Sequence, residues 1–235
     1  MATAMLSARR DAGGGLFLVT LRVPDELAGR YIAPGQYVEV IIGADSGYFV
    51  LAGKVGAAEW ELLVRMNGGA SDALIALSLG ETVEVMGPLG NGFPLSRAQG
   101  RPLVVAVAGS ALAVARPIVR ARIATREAST TRIYLGVRSA RDVGLVFEIE
   151  SWVEAGVRMV LCLSKSEIGH DPDILPRVRR EVGYVQTALE RAIQAGELLG
   201  NVIVFAAGPE PMLSDMRSRV WPASASMTLE VVTNV

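Results

Sequence analysis

The pattern of apolar residues changes near residue 100, and this change constrains the fold more than any other feature. Before it, short apolar runs are separated by glycine- and proline-containing turns. Alternation such as Tyr37-Val38-Glu39-Val40 is typical of antiparallel strands with one wet face. We therefore predict a β-barrel of about six strands, with one helix over Ser71–Leu79. The predicted strands are Met5–Arg9, Leu16–Val23, Gln36–Ile42, Tyr48–Ala52, Glu59–Val64 and Thr82–Met86.

After the change, strands and helices alternate. Leu103–Ala108 is a continuous apolar run, as in a strand buried on both faces, and a helical stretch follows it. This alternation predicts an α/β domain with a doubly wound parallel sheet. Strands are predicted at Leu103–Ala108, Arg132–Val137, Arg158–Leu163, Asn201–Ala206 and Thr228–Thr233, and helices at Leu112–Ala124, Val146–Ala155, Val182–Ala195 and Glu210–Val220.

The order of the two patterns predicts two domains, residues 1–98 and residues 99–235. Gly13–Gly15 is predicted to form a hairpin turn in the first domain. The carboxyl ends of the parallel strands would open toward a crevice between the domains, where ligands bind in folds of this class.

Composition excludes several classes of protein. Hydrophobic residues make up 51% of the 235 residues and the mean hydropathy is +0.36, but the best apolar run, Leu103–Val114, is too short to cross a membrane. The N-terminal residues lack the apolar core of a signal peptide, so we expect a cytoplasmic protein. A net charge of −1 argues against nucleic acid as the main partner.

The chain has one cysteine, Cys162, and one histidine, His170. One cysteine excludes an internal disulfide and an iron–sulfur cluster held by this chain alone. Cys162 lies in an apolar run and is interpreted as a core residue, and His170 as a surface residue. No metal site is predicted, because His170, Asp171 and Asp173 lack a periodic spacing.

Six segments resemble, in the same order, those of the ferredoxin–NADP reductase-like flavoproteins. The resemblance covers nearly the whole chain and implies that the barrel binds FAD and the second domain a pyridine nucleotide. The segments are Pro34-Gly35-Gln36-Tyr37, Tyr48–Ala52, Gly69-Ala70-Ser71, Gly87–Phe93, Gly183-Tyr184-Val185-Gln186 and Gly208-Pro209.

On the barrel, Gly69-Ala70-Ser71 leaves backbone N–H groups uncovered at the start of a helix, which suits an anion. The resemblance assigns this segment to the FAD pyrophosphate. The alternative is a turn in which Ser71 caps a helix. The resemblance also places the strand with Tyr48, Phe49, Val50 and Leu51 against the flavin ring. The alternative is an aromatic pair packed in the barrel core.

In the second domain, Gly109 and Ser110 follow the first strand, where glycine lets nucleotide phosphates approach the backbone. Ala111 replaces the second glycine of the family, so a turn without a ligand is the alternative. The resemblance assigns Ser164 and Lys165 to the 2′-phosphate of NADP, which favours NADP over NAD. The alternative for Lys165 is a solvated loop residue.

The resemblance assigns Tyr184 and Gln186 to the adenine and Gly208-Pro209 to the nicotinamide. Ala207 replaces a cysteine of the family and Val235 an aromatic residue. The implied function is an FAD-dependent oxidoreductase that binds NADP or NAD and passes electrons from its reduced form, NADPH or NADH, through the flavin to an unidentified acceptor. A protein acceptor is one candidate. The departures predict slow flavin reduction. They also leave open a non-catalytic, partner-binding or regulatory subunit that keeps only the fold.

Overall fold

A computed structural model describes residues 1–165, 173–198, 201–220 and 230–233. Its first half is an antiparallel sheet in the order β4-β3-β6-β1-β2-β5. A bridge between Leu51 and Leu62 brings the chain after β4 to β5, so the sheet curls like a barrel without a continuous closing ladder. The predicted barrel-type domain is therefore confirmed. The elements are β1 (Ala2–Gly13), β2 (Leu16–Arg22), α1 (Asp25–Ala28), β3 (Tyr37–Ile42), β4 (Asp45–Val50), β5 (Glu59–Arg65), α2 (Ala70–Ala76) and β6 (Thr82–Leu89).

Alternation of apolar and polar residues builds the barrel as predicted. On β3, Val38 and Val40 are buried in the barrel core, whereas Glu39 is only half-buried on the opposite face. The predicted hairpin joins β1 to β2, and all three of its glycines, Gly13–Gly15, have positive φ. The first strand is longer than predicted, because its pairing with β2 continues to Gly13.

The second half is a parallel sheet in the order β10-β9-β8-β7-β11-β12. Helices α3 and α4 pack on one face, and α5 and α6 on the other, so the doubly wound fold is confirmed. The elements are β7 (Leu103–Ala108), α3 (Leu112–Ala124), β8 (Thr131–Val137), α4 (Val146–Glu154), β9 (Arg158–Leu163), β10 (Arg179–Val182), α5 (Val185–Gln194), β11 (Ile203–Ala207), α6 (Glu210–Asp215) and β12 (Glu230–Thr233).

Three predicted helices have wrong bounds. The helix expected over Ser71–Leu79 spans Ala70–Ala76, because the backbone becomes extended at Leu77 (ψ 147°). The helix expected from Val182 begins at Val185, because residues Arg179–Val182 pair with β9 as an additional edge strand. Gly183 separates that strand from the helix with φ +118°. The helix expected over Glu210–Val220 is α-helical only to Asp215 and continues to Val220 as a π-helical turn.

A hydrophobic cluster joins the two halves, and we call it the central cluster. It combines outward-facing barrel residues such as Leu16, Leu18 and Leu63 with one face of the parallel sheet and helices α3 and α4. The barrel core and the opposite face of the parallel sheet form separate clusters. The division at residues 98 and 99 stays a prediction. No helix in the described part of the chain combines the length and apolar character that a membrane span requires.

Candidate functional site

The predicted nucleotide residues meet at the carboxyl edge of the parallel sheet. Strand register pairs Val107 with both Leu135 and Ala207, and Val137 with Leu163. The segments that begin at Gly109, Ser164 and Gly208 therefore leave the sheet at the same edge. This is the edge at which open α/β sheets bind ligands.

The turn Gly109–Ala111 forms a single 3₁₀ turn between β7 and α3. Gly109 has φ +56°, and a Cβ built on it would meet no atom within 4 Å, so its backbone is open to a ligand. Ser110 is exposed. Ala111 is half-buried and packs against the central cluster, and the turn contacts β5 of the barrel. An open backbone of this kind fits a phosphate group.

Two cations stand side by side at the ends of β8 and β9. The backbone N–H of Lys165 donates to the carbonyl of Arg138 (2.8 Å), and that of Ser164 to the carbonyl of Val137 (3.0 Å). Both cationic side chains are exposed, and neither makes a hydrogen bond or ion pair with the described residues. Sequence reasoning missed Arg138. Its position directly after a buried strand is the signal that could have found it.

The remaining residues predicted to bind the nucleotide differ in how accessible they are to a ligand. Tyr184 precedes α5 with 62% of its surface exposed, so its ring is free to stack. Gln186 is buried and its Nε2 donates to Asp215 Oδ2 (2.9 Å), which ties α5 to α6. Gly208 lies against Met212, because a Cβ added there would approach Met212 Cε to 2.9 Å. Pro209 is exposed ahead of α6.

On the barrel, residues 48–51 alternate in direction. The side chains of Phe49 and Leu51 are buried in the barrel core. Tyr48 is 66% exposed and meets Tyr37 edge-on, with ring centroids 5.8 Å apart. Val50 is half-buried against the central cluster. The predicted aromatic pair in the core is therefore wrong for Tyr48, whose ring is available to a planar ligand.

In the glycine turn of the barrel, two backbone N–H groups are bound by a side chain of the helix that follows. Asp72 Oδ1 accepts the backbone N–H groups of Asn67 and Gly68, at 3.0 Å each. Gly69, with φ +56°, precedes α2, whose first residue is Ala70. Ser71 therefore lies inside the helix and does not cap it, which corrects the N-cap alternative. Its half-buried hydroxyl has no hydrogen-bond partner among the described residues.

Cys162 is buried, as predicted, and desolvation raises the pKa of its thiol to about 12. His170 lies outside the described residues. Within the described ranges, no group of three histidine, cysteine or acidic side chains is arranged to hold a metal ion.

A charge network that sequence reasoning missed lies between the halves. Arg116 on α3 is 1% exposed and donates to Glu148 (2.7 and 3.0 Å), Glu61 (3.3 Å) and the carbonyl of Ala52 (3.1 Å). Burial opposes the ionisation of Glu148, but the hydrogen bond and charge of Arg116 outweigh it and hold the pKa of that carboxyl below its usual value. An arginine among apolar helix residues was the available signal.

No protein-family model matches the chain. It is 30% identical over 196 residues to the ferredoxin–NAD(+) reductase component of the alkene monooxygenase system of Xanthobacter autotrophicus, covering 80% of this chain and 57% of that protein. It is 26% identical over 218 residues to the electron transfer subunit of dihydroorotate dehydrogenase B of Geobacillus sp., covering 89% and 76%. The chain spans 57% of the length of the first two curated relatives it matches.

Solved structures share the whole fold. The Amycolatopsis cytochrome P450 reductase GcoB matches with a TM-score of 0.77 at 24% identity, covering 99% of this chain and 69% of that one. A ferredoxin NADP+ reductase from Neisseria gonorrhoeae, solved with FAD and NADP, matches with a TM-score of 0.75 at 14% identity, covering 98% and 97%. With its barrel followed by a parallel sheet, the chain has the fold of the ferredoxin–NADP reductase-like proteins, and its sequence is similar to those of reductase components.

Proposed function

We propose that the chain is an FAD-dependent oxidoreductase that takes electrons from a pyridine nucleotide and passes them to a separate acceptor. The observation that carries the proposal is the meeting of two predicted sites. Val50, on the strand assigned to the flavin, and Ala111, in the turn assigned to the nucleotide, pack against the same central cluster. The nucleotide turn also contacts β5 of the barrel, so two cofactors held by these segments could approach each other, as hydride transfer requires.

The barrel residues fit a flavin dinucleotide. The exposed ring of Tyr48 offers an aromatic face, and the Ser71 hydroxyl makes no hydrogen bond with the residues that the structure describes. Gly68 and Gly69 add backbone without side chains to the same loop, and Asp72 already accepts the N–H group of Gly68. Bound FAD would supply the redox chemistry, and the chain would supply position and electrostatics. Phe49 and Leu51 would support the strand from the core, and Ala70 would anchor α2 there.

The parallel sheet fits a pyridine nucleotide. Gly109 and Ser110 would hold its phosphates, and Tyr184 would stack on the adenine. Ser164, Lys165 and Arg138 would take the 2′-phosphate. The two cations at this sheet edge have no ion pair among the described residues, and they would favour a further negative charge. We therefore propose NADP as the preferred nucleotide. Gly208 and Pro209 would lie near the nicotinamide, and Gln186 would brace α5.

We propose a protein as the acceptor, because the curated relatives carry names of reductase components and of an electron transfer subunit. These names favour the reductase over the non-catalytic alternative. Cys162 is buried and is the one cysteine of the chain, so the chain has no set of thiolates for a cluster of its own.

The test is the visible absorbance of the purified protein after it has been mixed with FAD and separated from the excess. The proposal expects about one flavin per chain, and bleaching after anaerobic addition of NADPH. Absence of both FAD binding and a thermal shift with excess FAD would contradict the flavin assignment. Flavin that binds but stays oxidised with NADPH and with NADH would support the non-catalytic alternative.

A further inference from the structure

We propose that Arg116 is a positioning residue that fixes the nucleotide turn relative to the flavin strand without touching either cofactor. The proposal rests on the proposed function for its kinetic consequence. The structural part of the proposal is that Arg116 holds the two halves in one arrangement. It rests on the hydrogen bonds of Arg116 and can be tested without any cofactor.

Arg116 bridges three segments through one guanidinium. Nη1 donates to the carbonyl of Ala52, Nη2 to Glu61 on β5, and Nε and Nη2 to Glu148 on α4. A planar guanidinium can satisfy several acceptors at fixed angles, which an ammonium group cannot do. Because the side chain is 1% exposed, water does not compete for these bonds.

The barrel end of this bridge is tied to the flavin strand. Ala52 follows β4 by two residues, and its N–H donates to the carbonyl of Glu61 (2.7 Å). The N–H of Leu51 donates to the carbonyl of Gln36 (2.9 Å). Arg116 therefore binds a backbone carbonyl in the segment that continues the strand of Tyr48 and Val50. A shift of that carbonyl would move the strand.

The other end is tied to the nucleotide turn. Arg116 lies in α3, which starts directly after the turn Gly109–Ala111. A helix transmits a displacement along its axis, because its backbone hydrogen bonds hold it as one unit. The position of Arg116 therefore sets the position of that turn.

Weaker pairs flank the bridge. Arg120 pairs with Glu61 (3.2 Å), and Arg10 on β1 pairs with Glu148 (2.9 Å), but these arginines are 44% and 56% exposed. Exposed pairs hold a geometry weakly, since solvent screens them. Among these charge pairs, the buried Arg116 is therefore the one that adds a fixed geometry to the apolar contact of the central cluster.

The same helix offers a matched control. Arg122 is also 1% exposed, but its partners all lie away from the barrel strands. It binds Ala98 and Arg101 in the connecting segment, Thr130 and Thr131 at the start of β8, and Glu127. Replacing either arginine with methionine removes a buried guanidinium from α3. The Arg116 change alone removes a contact with the strands of the barrel.

The first measurement uses spin labels on cofactor-free protein. Glu84→Cys and Glu150→Cys place labels at exposed positions on the barrel and on α4, and Cys162 can stay because its thiol is buried. We expect one narrow distance distribution in the parent and with Arg122→Met, and a distribution at least about twice as wide with Arg116→Met. A broad distribution in the parent, or an unchanged width with Arg116→Met, would overturn the proposal. If Arg116→Met does not fold, Arg116→Lys takes its place under the same criteria.

The second measurement is anaerobic flavin reduction across nucleotide concentrations. Arg116→Met and Arg116→Lys should lower the limiting rate at least about tenfold and change the apparent Kd of the nucleotide less than about threefold. Arg122→Met should leave the limiting rate within about twofold. A limiting rate that Arg116→Met does not change would overturn the positioning role. If NADPH and NADH fail to reduce the flavin of the parent, the proposed function fails, and the label distances then decide on the role of Arg116.

Discussion

The two glycine turns of the chain, one in each half, differ in what their backbone donors face. In both, a strand is followed by glycine at positive φ and then by a helix. In the barrel turn, Asp72 accepts the N–H groups of Asn67 and Gly68. Within the described ranges, no side chain accepts the N–H groups of the Gly109 turn, and a Cβ added to Gly109 would meet no atom within 4 Å.

This difference shows that a glycine turn can bind an anion only where neighbouring side chains do not already accept its backbone N–H groups. Asp72 places a negative charge where the resemblance puts a pyrophosphate, whereas the Gly109 turn is followed along the same sheet edge by two cations. The parallel-sheet turn is therefore the better prepared of the two for a phosphate.

The largest expected effect tests the second turn. Flavin reduction by NADPH should be slow in the unaltered chain, and Ala111→Gly with Ala207→Cys should accelerate it on the order of a hundredfold, the size expected for a misplacement of about 1 Å. Stopped-flow mixing measures both. A parent rate near about 10 per second, typical of enzymes, would show that the substitutions are harmless.

The next effect concerns the cations beside that turn. Lys165→Ala should lower NADPH affinity by about 2 kcal/mol, roughly thirtyfold, and leave NADH affinity unchanged, because only the 2′-phosphate gains a charge-assisted contact. Lys54→Ala, the other lysine of the chain and exposed on the barrel, is the control. Titration calorimetry with both nucleotides checks the result. Equal affinity of the parent for NADPH and NADH would remove the basis of the prediction.

Much of the fold could be predicted from the sequence, because burial leaves a periodic trace. Val38 and Val40 alternate with polar neighbours, and Leu103–Ala108 is continuously apolar where both faces of the sheet are covered. Strand β10 was missed because Arg179 and Glu181 are charged edge residues that pair with Glu197 and Arg191, so no apolar pattern marks the strand.

The site was less predictable, because its decisive contacts join residues far apart in the chain. Arg116 lies 55 residues from Glu61 and 64 from Ala52. The pair of Asp72 with the N–H groups before it is local, yet it depends on the turn that Gly69 makes. Motif spacing predicted which segments meet. It could not predict which backbone N–H groups of those segments remain without an acceptor, because that depends on the folded geometry.

The third prediction compares the same substitution, glycine to alanine, in the two turns. Gly68→Ala and Gly109→Ala both place a methyl group on a glycine with positive φ and open space, so each should cost about 1 to 2 kcal/mol of folding free energy. Gly109→Ala should weaken NADPH binding about tenfold and spare FAD, while Gly68→Ala should do the reverse. Thermal unfolding and separate titrations check the pattern. Both variants weakening the same ligand would contradict the assignment of one turn to each cofactor.

The smallest expected effect tests the acceptor inside the barrel turn. Asp72→Asn keeps an Oδ1 acceptor for the N–H groups of Asn67 and Gly68 but removes the negative charge beside the predicted pyrophosphate. FAD affinity should rise about fivefold, near 1 kcal/mol, as expected for two like charges at close range in a high dielectric. Ser71→Ala should lower it by a similar amount through one lost hydrogen bond. Neither substitution should change the affinity for NADPH. The gain in FAD affinity from Asp72→Asn should shrink at high salt, because salt screens charge repulsion, whereas the loss of FAD affinity from Ser71→Ala should persist. Fluorescence titration with FAD at two ionic strengths separates the charge effect from the hydrogen-bond effect. If Asp72→Asn binds FAD at low salt with the same affinity as the parent, the pyrophosphate does not lie at this turn.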